Sequence, residues 1–429
     1  MKAQPIAVTA LMRYGALAMP AAFAGFPLYV LAPDYYATQF EIPLALMGII
    51  LLGLRLCDAA IDPVMGWLID RLQTQLLWPL IVAASLLCLT IYGLFNVRAP
   101  SPAMWFALCM GGAVFAHSLI TIMLGTFAVL WTQDQTEQTR IAAMRESFGL
   151  IGLIIAVSLP SILQQIFATP HIYGFYSVLL AAVMGMAVIF FIPLLHKTPQ
   201  RNRALETAPL SPLAFLQDLP KATRHLLFVY GVSMFASSIP AVLVIFYVRD
   251  LLGAEHLIGV FLTLYFLAGA GATPLWTAAS RKFGKYQTWC LATGLAVCSF
   301  IGAFFLQTGD TTLYALICLL SGLALGADLT LAPSLLSDQI HAYAHQRYSG
   351  TYFALLSFTA KASLALASVT ALTFLDYAGF KPHSTNDAHS LLALSTSYAL
   401  IPCLLKLLAA ALLYLFFIRP PSGGHHVTV

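Results

Sequence analysis

Charge is what this sequence has least of. Asp, Glu, Lys and Arg together make up 9% of its 429 residues, where an ordinary soluble domain carries about a quarter. That scarcity excludes a water-soluble chain of this length. The seven cysteines, Cys57, Cys88, Cys109, Cys290, Cys298, Cys318 and Cys403, all fall in apolar runs and lack metal or redox spacing. They read as small core hydrophobes. A formal net charge of +4 is too small for a nucleic-acid partner. There is no histidine box, no metal-spaced ligand set, no nucleophile with an adjacent base and no attached soluble domain. The chain is therefore not read as an enzyme, and no cofactor is expected.

What is abundant is apolar sequence: 60% of residues are hydrophobic and the mean hydropathy is +0.85. Twelve long apolar runs recur, at approximately 10–32, 43–67, 77–96, 103–130, 144–166, 173–195, 225–248, 255–279, 287–307, 312–334, 349–374 and 392–418. Runs of about 20 residues cross a hydrocarbon layer about 30 Å thick. The expected fold class is an all-α membrane protein with twelve transmembrane helices. The first run follows Lys2 and Arg13 as a signal peptide would, but it is long and holds Pro20 and Pro27. It is kept as helix 1.

The longest polar stretch separates runs six and seven. The expected domains are thus an N-terminal six-helix half, 1–195, a cytoplasmic linker, 196–222, and a C-terminal half, 223–429. With both termini in the cytoplasm, fifteen Lys and Arg residues fall on that side or at its edge. Three, Arg98, Arg249 and Lys381, fall outside. That bias sets the orientation. An offset of 211 carries Pro63 onto Pro274 and Arg71 onto Lys282, so the two halves read as a repeat. Two parallel six-helix repeats, with substrate held near the midplane between them, are the architecture of the major facilitator fold.

The rare charges inside these runs carry the functional reading, because an ionisable residue in a membrane span is costly and usually functional. Arg55, Asp58 and Asp62 lie in run two, and a spacing of four puts both carboxylates on one helix face. Paired carboxylates suit a hard cation or a shared proton. Lys361 lies within run eleven and needs an acidic partner. Asp58 or Asp62 is the natural one, and Asp328 on run ten is a second candidate. Lys406 on run twelve reads as a snorkelling or locally paired lysine, and His117 as a hydrogen-bonded core histidine. Asp338, His341, His345 and Arg347 read as a solvated loop.

Two strings carry a family resemblance. Gly66-Trp67-Leu68-Ile69-Asp70-Arg71 resembles the Gly-x-x-x-Asp-Arg loop of the major facilitator superfamily, which implies a gating role for Gly66, Asp70 and Arg71. Arg55-x-x-Asp58-Ala59-x-x-Asp62-Pro63-x-x-Gly66 resembles the glycoside–pentoside–hexuronide:cation symporters, the melibiose carrier family. Weaker similarity covers Tyr14-Gly15, Arg140 to Arg145, and Ser357 to Lys361. The resemblance implies that Asp58 and Asp62, with Thr121 on helix 4, bind a coupling H⁺ or Na⁺. It implies that Lys361 lies near them and that Arg145 and Lys361 border the substrate. The chain also departs from the family. Leu124 replaces the helix 4 acid, and Ala22 and Ala128 stand where an aspartate and a tryptophan grip sugar. Ile61 stands where the family often has Asn. The expected protein is a cation-coupled symporter in the inner membrane, a monomer, carrying a small organic solute with sugar or glycoside as the family default. The alternative is a transporter or flippase of a lipid, lysolipid or other amphipath on the same fold, and a non-transporting membrane receptor or enzyme ranks behind both.

Overall fold

The structure is a computed structural model. It describes residues 6–26, 28, 32–40, 42, 44–72, 75–96, 101–166, 169–195, 215, 218–381 and 386–419. Most of the expected linker, together with both chain ends, lies outside the described residues. So does the side chain of Arg55.

Apolar runs become long helices because a backbone in hydrocarbon must satisfy its own hydrogen bonds. The first six are α1 (Val8–Phe26), α2 (Leu44–Leu72), α3 (Leu77–Phe95), α4 (Pro102–Trp131), α5 (Gln135–Ile166) and α6 (Thr169–Leu195). The next six are α7 (Lys221–Leu251), α8 (Ile258–Phe283), α9 (Lys285–Phe305), α10 (Thr311–Ala342), α11 (Ser349–Tyr377) and α12 (Ala388–Ile418). A short helix, Ala32–Gln39, follows α1. Nine helices are long and apolar enough to cross a membrane, among the described residues.

Local chemistry sets several helix starts. Ser101 accepts from the Met104 amide at the start of α4, with Pro102 in the first helical position. Asp134 accepts from the Thr136 and Glu137 amides at the start of α5, at 2.8 and 2.9 Å. Asp387 accepts from the Ser390 amide at 2.9 Å at the start of α12.

The chain divides into two compact units. One holds residues 1–218 and 343–358, the other 219–342 and 359–429. The first turns of α11 therefore pack with the first unit, although they follow α10 in the chain. Within the first unit α1 packs on α5 and α6, α4 on α2 and α3, and α3 on α6. Within the second unit α12 packs on α7 and α9, and α10 on α8 and α9. Four of these pairings recur six helices apart, so the repeat seen in sequence is also a repeat of packing. Among these nine spans the most enclosed are α4 and α10, with 78% and 61% of the apolar window buried against 28–33% for the other seven. Each is the central post of its unit.

Candidate functional site

The acid pair sits on α2 of the first unit. Four residues advance an α-helix by about 6 Å, so Asp58 and Asp62 stack one turn apart. Asp58 is 8% exposed and Asp62 is fully buried. The Ser118 hydroxyl of α4 donates to Asp58 Oδ1 at 2.8 Å. Packing of α2 on α4 makes this contact across 60 residues of chain. The group is two carboxylates and a hydroxyl held inside a helical bundle. These are oxygen donors suited to a proton or a hard monovalent cation.

Thr121, the residue expected beside the acids, lies one turn beyond Ser118 and is exposed. Its hydroxyl donates to the His117 carbonyl of its own helix at 3.0 Å. The hydroxyl placed on Asp58 is thus Ser118's, which the sequence reading missed. Only its register on α4, three residues before Thr121, hinted at it. Lys361 is half-buried on α11 and belongs to the second unit.

At the end of α2 the Gly-x-x-x-Asp-Arg string meets the start of α11. Asp70 is 7% exposed. Its Oδ1 accepts from the Gly350 amide at 2.7 Å, and its Oδ2 from the Thr351 amide at 2.9 Å and hydroxyl at 2.6 Å. A carboxylate here satisfies amides that a helix start leaves open and complements the helix dipole. Gly66 makes the approach possible. A Cβ on it would lie 2.6 Å from both the Gly350 carbonyl oxygen and the Ala354 Cβ. Arg71 is exposed, and its guanidinium lies over the Trp67 ring at 3.7 Å. Nearby, His345 Nδ1 and the Tyr352 hydroxyl are 2.7 Å apart, and burial lowers the His345 pKa from its ordinary 6.5.

In the second unit Lys406 takes the second of its two expected readings, a paired lysine in place of a snorkelling one, and is 7% exposed. Its Nζ donates to Asp328 Oδ2 at 2.5 Å and to the Ser233 hydroxyl at 2.8 Å. Asp328, the second candidate partner for Lys361, accepts from this lysine instead, and its Oδ1 accepts from the Trp289 indole at 2.7 Å. Four helices, α7, α9, α10 and α12, each supply one member of this network. The offset that relates the halves carries His117 on α4 onto Asp328 on α10, since 328 − 117 = 211. Both central posts thus hold a polar residue at the same register. The expectation of a solvated loop also fails for Asp338. It lies on α10, is 8% exposed and accepts from Lys285 Nζ at 2.6 Å.

Arg145 on α5 carries an ion pair with its neighbour Glu146. Nε and Nη2 both donate to Glu146 Oε1, at 2.8 and 2.5 Å. The Tyr14 phenol of α1 lies beside the Arg145 guanidinium. Around Tyr14 stand Phe127, Trp131 and Phe191, with ring centroids 5.8–6.3 Å away. Position 128 holds an alanine, and the next tryptophan on α4 is one turn further along, in this cluster.

The family described as MFS/sugar transport protein matches residues 11–419. A glucuronide carrier protein homolog of Escherichia coli (strain K12) is 24% identical over 416 residues, covering 92% of this chain and 89% of that protein. An isoprimeverose transporter of Lactiplantibacillus pentosus is 24% identical over 407 residues, covering 89% and 82%. Among solved structures, a bacterial homologue of the iron transporter ferroportin, in an outward-facing state, aligns with TM-score 0.71 at 16% identity. That alignment covers 96% of this chain and all of the other. The Escherichia coli fucose:proton symporter aligns with TM-score 0.67 at 15% identity, over 96% and 98%. At these identities the solved structures show a shared fold.

Proposed function

Because this chain belongs to the MFS/sugar transport family of the major facilitator superfamily, and is a multi-pass integral membrane transporter, we propose that it is a cation-coupled symporter of a sugar or glycoside. The coupling ion is H⁺ or Na⁺, and Asp58 and Asp62 are its binding groups. The protein acts as a monomer in the inner membrane, with both termini in the cytoplasm. Two curated relatives are named for glucuronide and for isoprimeverose, which supports a carbohydrate solute.

The observation that carries the coupling is the burial of two carboxylates one turn apart, with the Ser118 hydroxyl on the first. Two adjacent negative charges in a medium of low dielectric repel strongly. A proton or Na⁺ removes that repulsion. The loaded and empty transporter then differ in electrostatic energy at one place, as alternating access driven by an ion gradient requires. Arg145 and Lys361 border the solute in this reading, and Gly66, Asp70 and Arg71 act in gating. Ser118 replaces Thr121 as the neutral ligand.

The test is uptake of radiolabelled glycosides into proteoliposomes under an imposed Na⁺ gradient, an imposed pH gradient, or neither. Accumulation above equilibrium under one gradient supports the reading and identifies the ion. Equilibration at the same level under all three removes the coupling. Flux of a labelled lysolipid but of no glycoside would replace the solute with an amphipath.

A further inference from the structure

Arg145 and Glu146 are the ionised residues of α5 that sit deepest from its start. Glu137 and Arg140 form a separate pair nearer the helix start, at 2.8 Å. With about 100° per residue, Arg145 and Glu146 straddle a direction about 150° from Ile151 and Ile155. Those two isoleucines are 41% and 40% exposed and form the most exposed apolar strip among the described side chains of α5. The ion pair is thus turned away from the strip suited to lipid, yet its side chains retain 13% and 21% exposure. Ionised groups inside a membrane protein keep such exposure toward water. A partly exposed guanidinium–carboxylate pair on that side of the helix offers both donors and an acceptor to a polar solute.

The way the pair is joined sets the charge of that solute. Both guanidinium donors converge on Oε1, and Oε2 takes no hydrogen bond from any described residue. The positive charge of Arg145 is already matched inside the protein by its own neighbour. A solute carboxylate arriving here must displace Glu146 or add a second negative charge beside it. A neutral polyol meets no such conflict, since its hydroxyls donate to Oε2 and accept from guanidinium N–H groups. Resting on the glycoside reading above, we propose that Glu146 is a specificity-determining residue that fills the Arg145 guanidinium with an internal carboxylate. It thereby makes this transporter select neutral sugars and glycosides over uronates. The two named relatives straddle this divide, one being named for a glucuronide and the other for isoprimeverose.

The experiment is ligand binding by purified protein, measured by isothermal titration. The probes are phenyl β-glucoside and phenyl β-glucuronide, and the galacto pair, which differ within each pair only at carbon 6. The readout is the ratio of the two affinities, which does not depend on the fraction of protein that folds. The wild type should favour the neutral member by tenfold or more. Glu146→Gln keeps the side-chain shape, removes the internal charge and should move the ratio at least tenfold toward the uronide. Arg145→Gln/Glu146→Gln should lose that gain, since the guanidinium that captures the uronate is gone. Binding with the same ratio in wild type and Glu146→Gln overturns the proposal and leaves the glycoside reading standing. Failure of wild type and variant to bind any of the four probes overturns the glycoside reading and the proposal with it.

Discussion

Replacing Lys406 with methionine tests the interior of the second unit. The change keeps side-chain length and removes the ammonium from Asp328 and Ser233. Asp328 is 7% exposed, so its carboxylate stays buried with the Trp289 indole as its remaining donor from this network. Breaking a buried ion pair on one side costs about 3–5 kcal/mol, mostly as the uncompensated charge left behind. Removing both charges leaves no such orphan. An apolar replacement of a whole buried pair is neutral, or stabilising by about 1–4 kcal/mol. Lys406→Met and Asp328→Leu should therefore each lower stability by several kcal/mol, while the double variant matches or exceeds the wild type. The assay is SDS-driven unfolding of purified protein in mixed micelles, with the four proteins compared as a double-mutant cycle. A double variant that loses the sum of the two single losses would mean that the two charges do not compensate each other. So would a Lys406→Met variant within about 0.5 kcal/mol of wild type, the range of ordinary surface substitutions.

Four variants of the first unit have defined outcomes. Gly66→Ala places a Cβ 2.6 Å from the backbone oxygen of Gly350, and crowding of this kind costs about 1–3 kcal/mol. Gly185→Ala on α6 meets nothing within 4 Å and should be neutral or stabilise by about 0.5–1 kcal/mol through helix propensity; thermal midpoints of the two variants check both. Asp70→Asn removes a charged acceptor from the Gly350 and Thr351 amides and should cost about 1–3 kcal/mol, read by the same midpoint and by faster hydrogen exchange at the start of α11. His345 has its pKa lowered by burial, so as pH falls the unfolded chain takes up its proton before the folded one does. Its contribution is then complete above about pH 6.5 and is lost as pH falls through the lower folded value. The fall in thermal midpoint between pH 7.5 and pH 5 should be smaller in His345→Gln than in the wild type.

The fold was legible because lipid leaves so few choices. A long apolar run must be a helix, and the twelve helices stand on the twelve expected runs. Ends were less legible where polar residues extend a helix beyond its apolar part. Helix α5 starts at Gln135, nine residues before the expected 144, because Asp134 caps a first turn that hydropathy cannot see. Helix α10 runs on to Ala342 for the same reason, with Ser337 and Asp338 buried along it. Partners were the least legible part. The sequence marks Lys406 as an unusual lysine, but its acid lies 78 positions away on another helix. Asp70 was visible in its string, whereas its amides are 280 positions distant. Ser118 carries no charge and looks like any serine in an apolar helix. Spacing along one helix displayed the Asp58 and Asp62 pair, but tertiary packing alone chose the hydroxyl that joins it.

The most direct test of the coupling reading compares two modes of transport in the same vesicles. Asp58→Asn and Asp62→Asn should each abolish solute accumulation driven by the ion gradient while exchange of labelled for unlabelled solute continues, since the path survives and the ion's binding charge does not. Accumulation at the wild-type level by both variants would contradict the account.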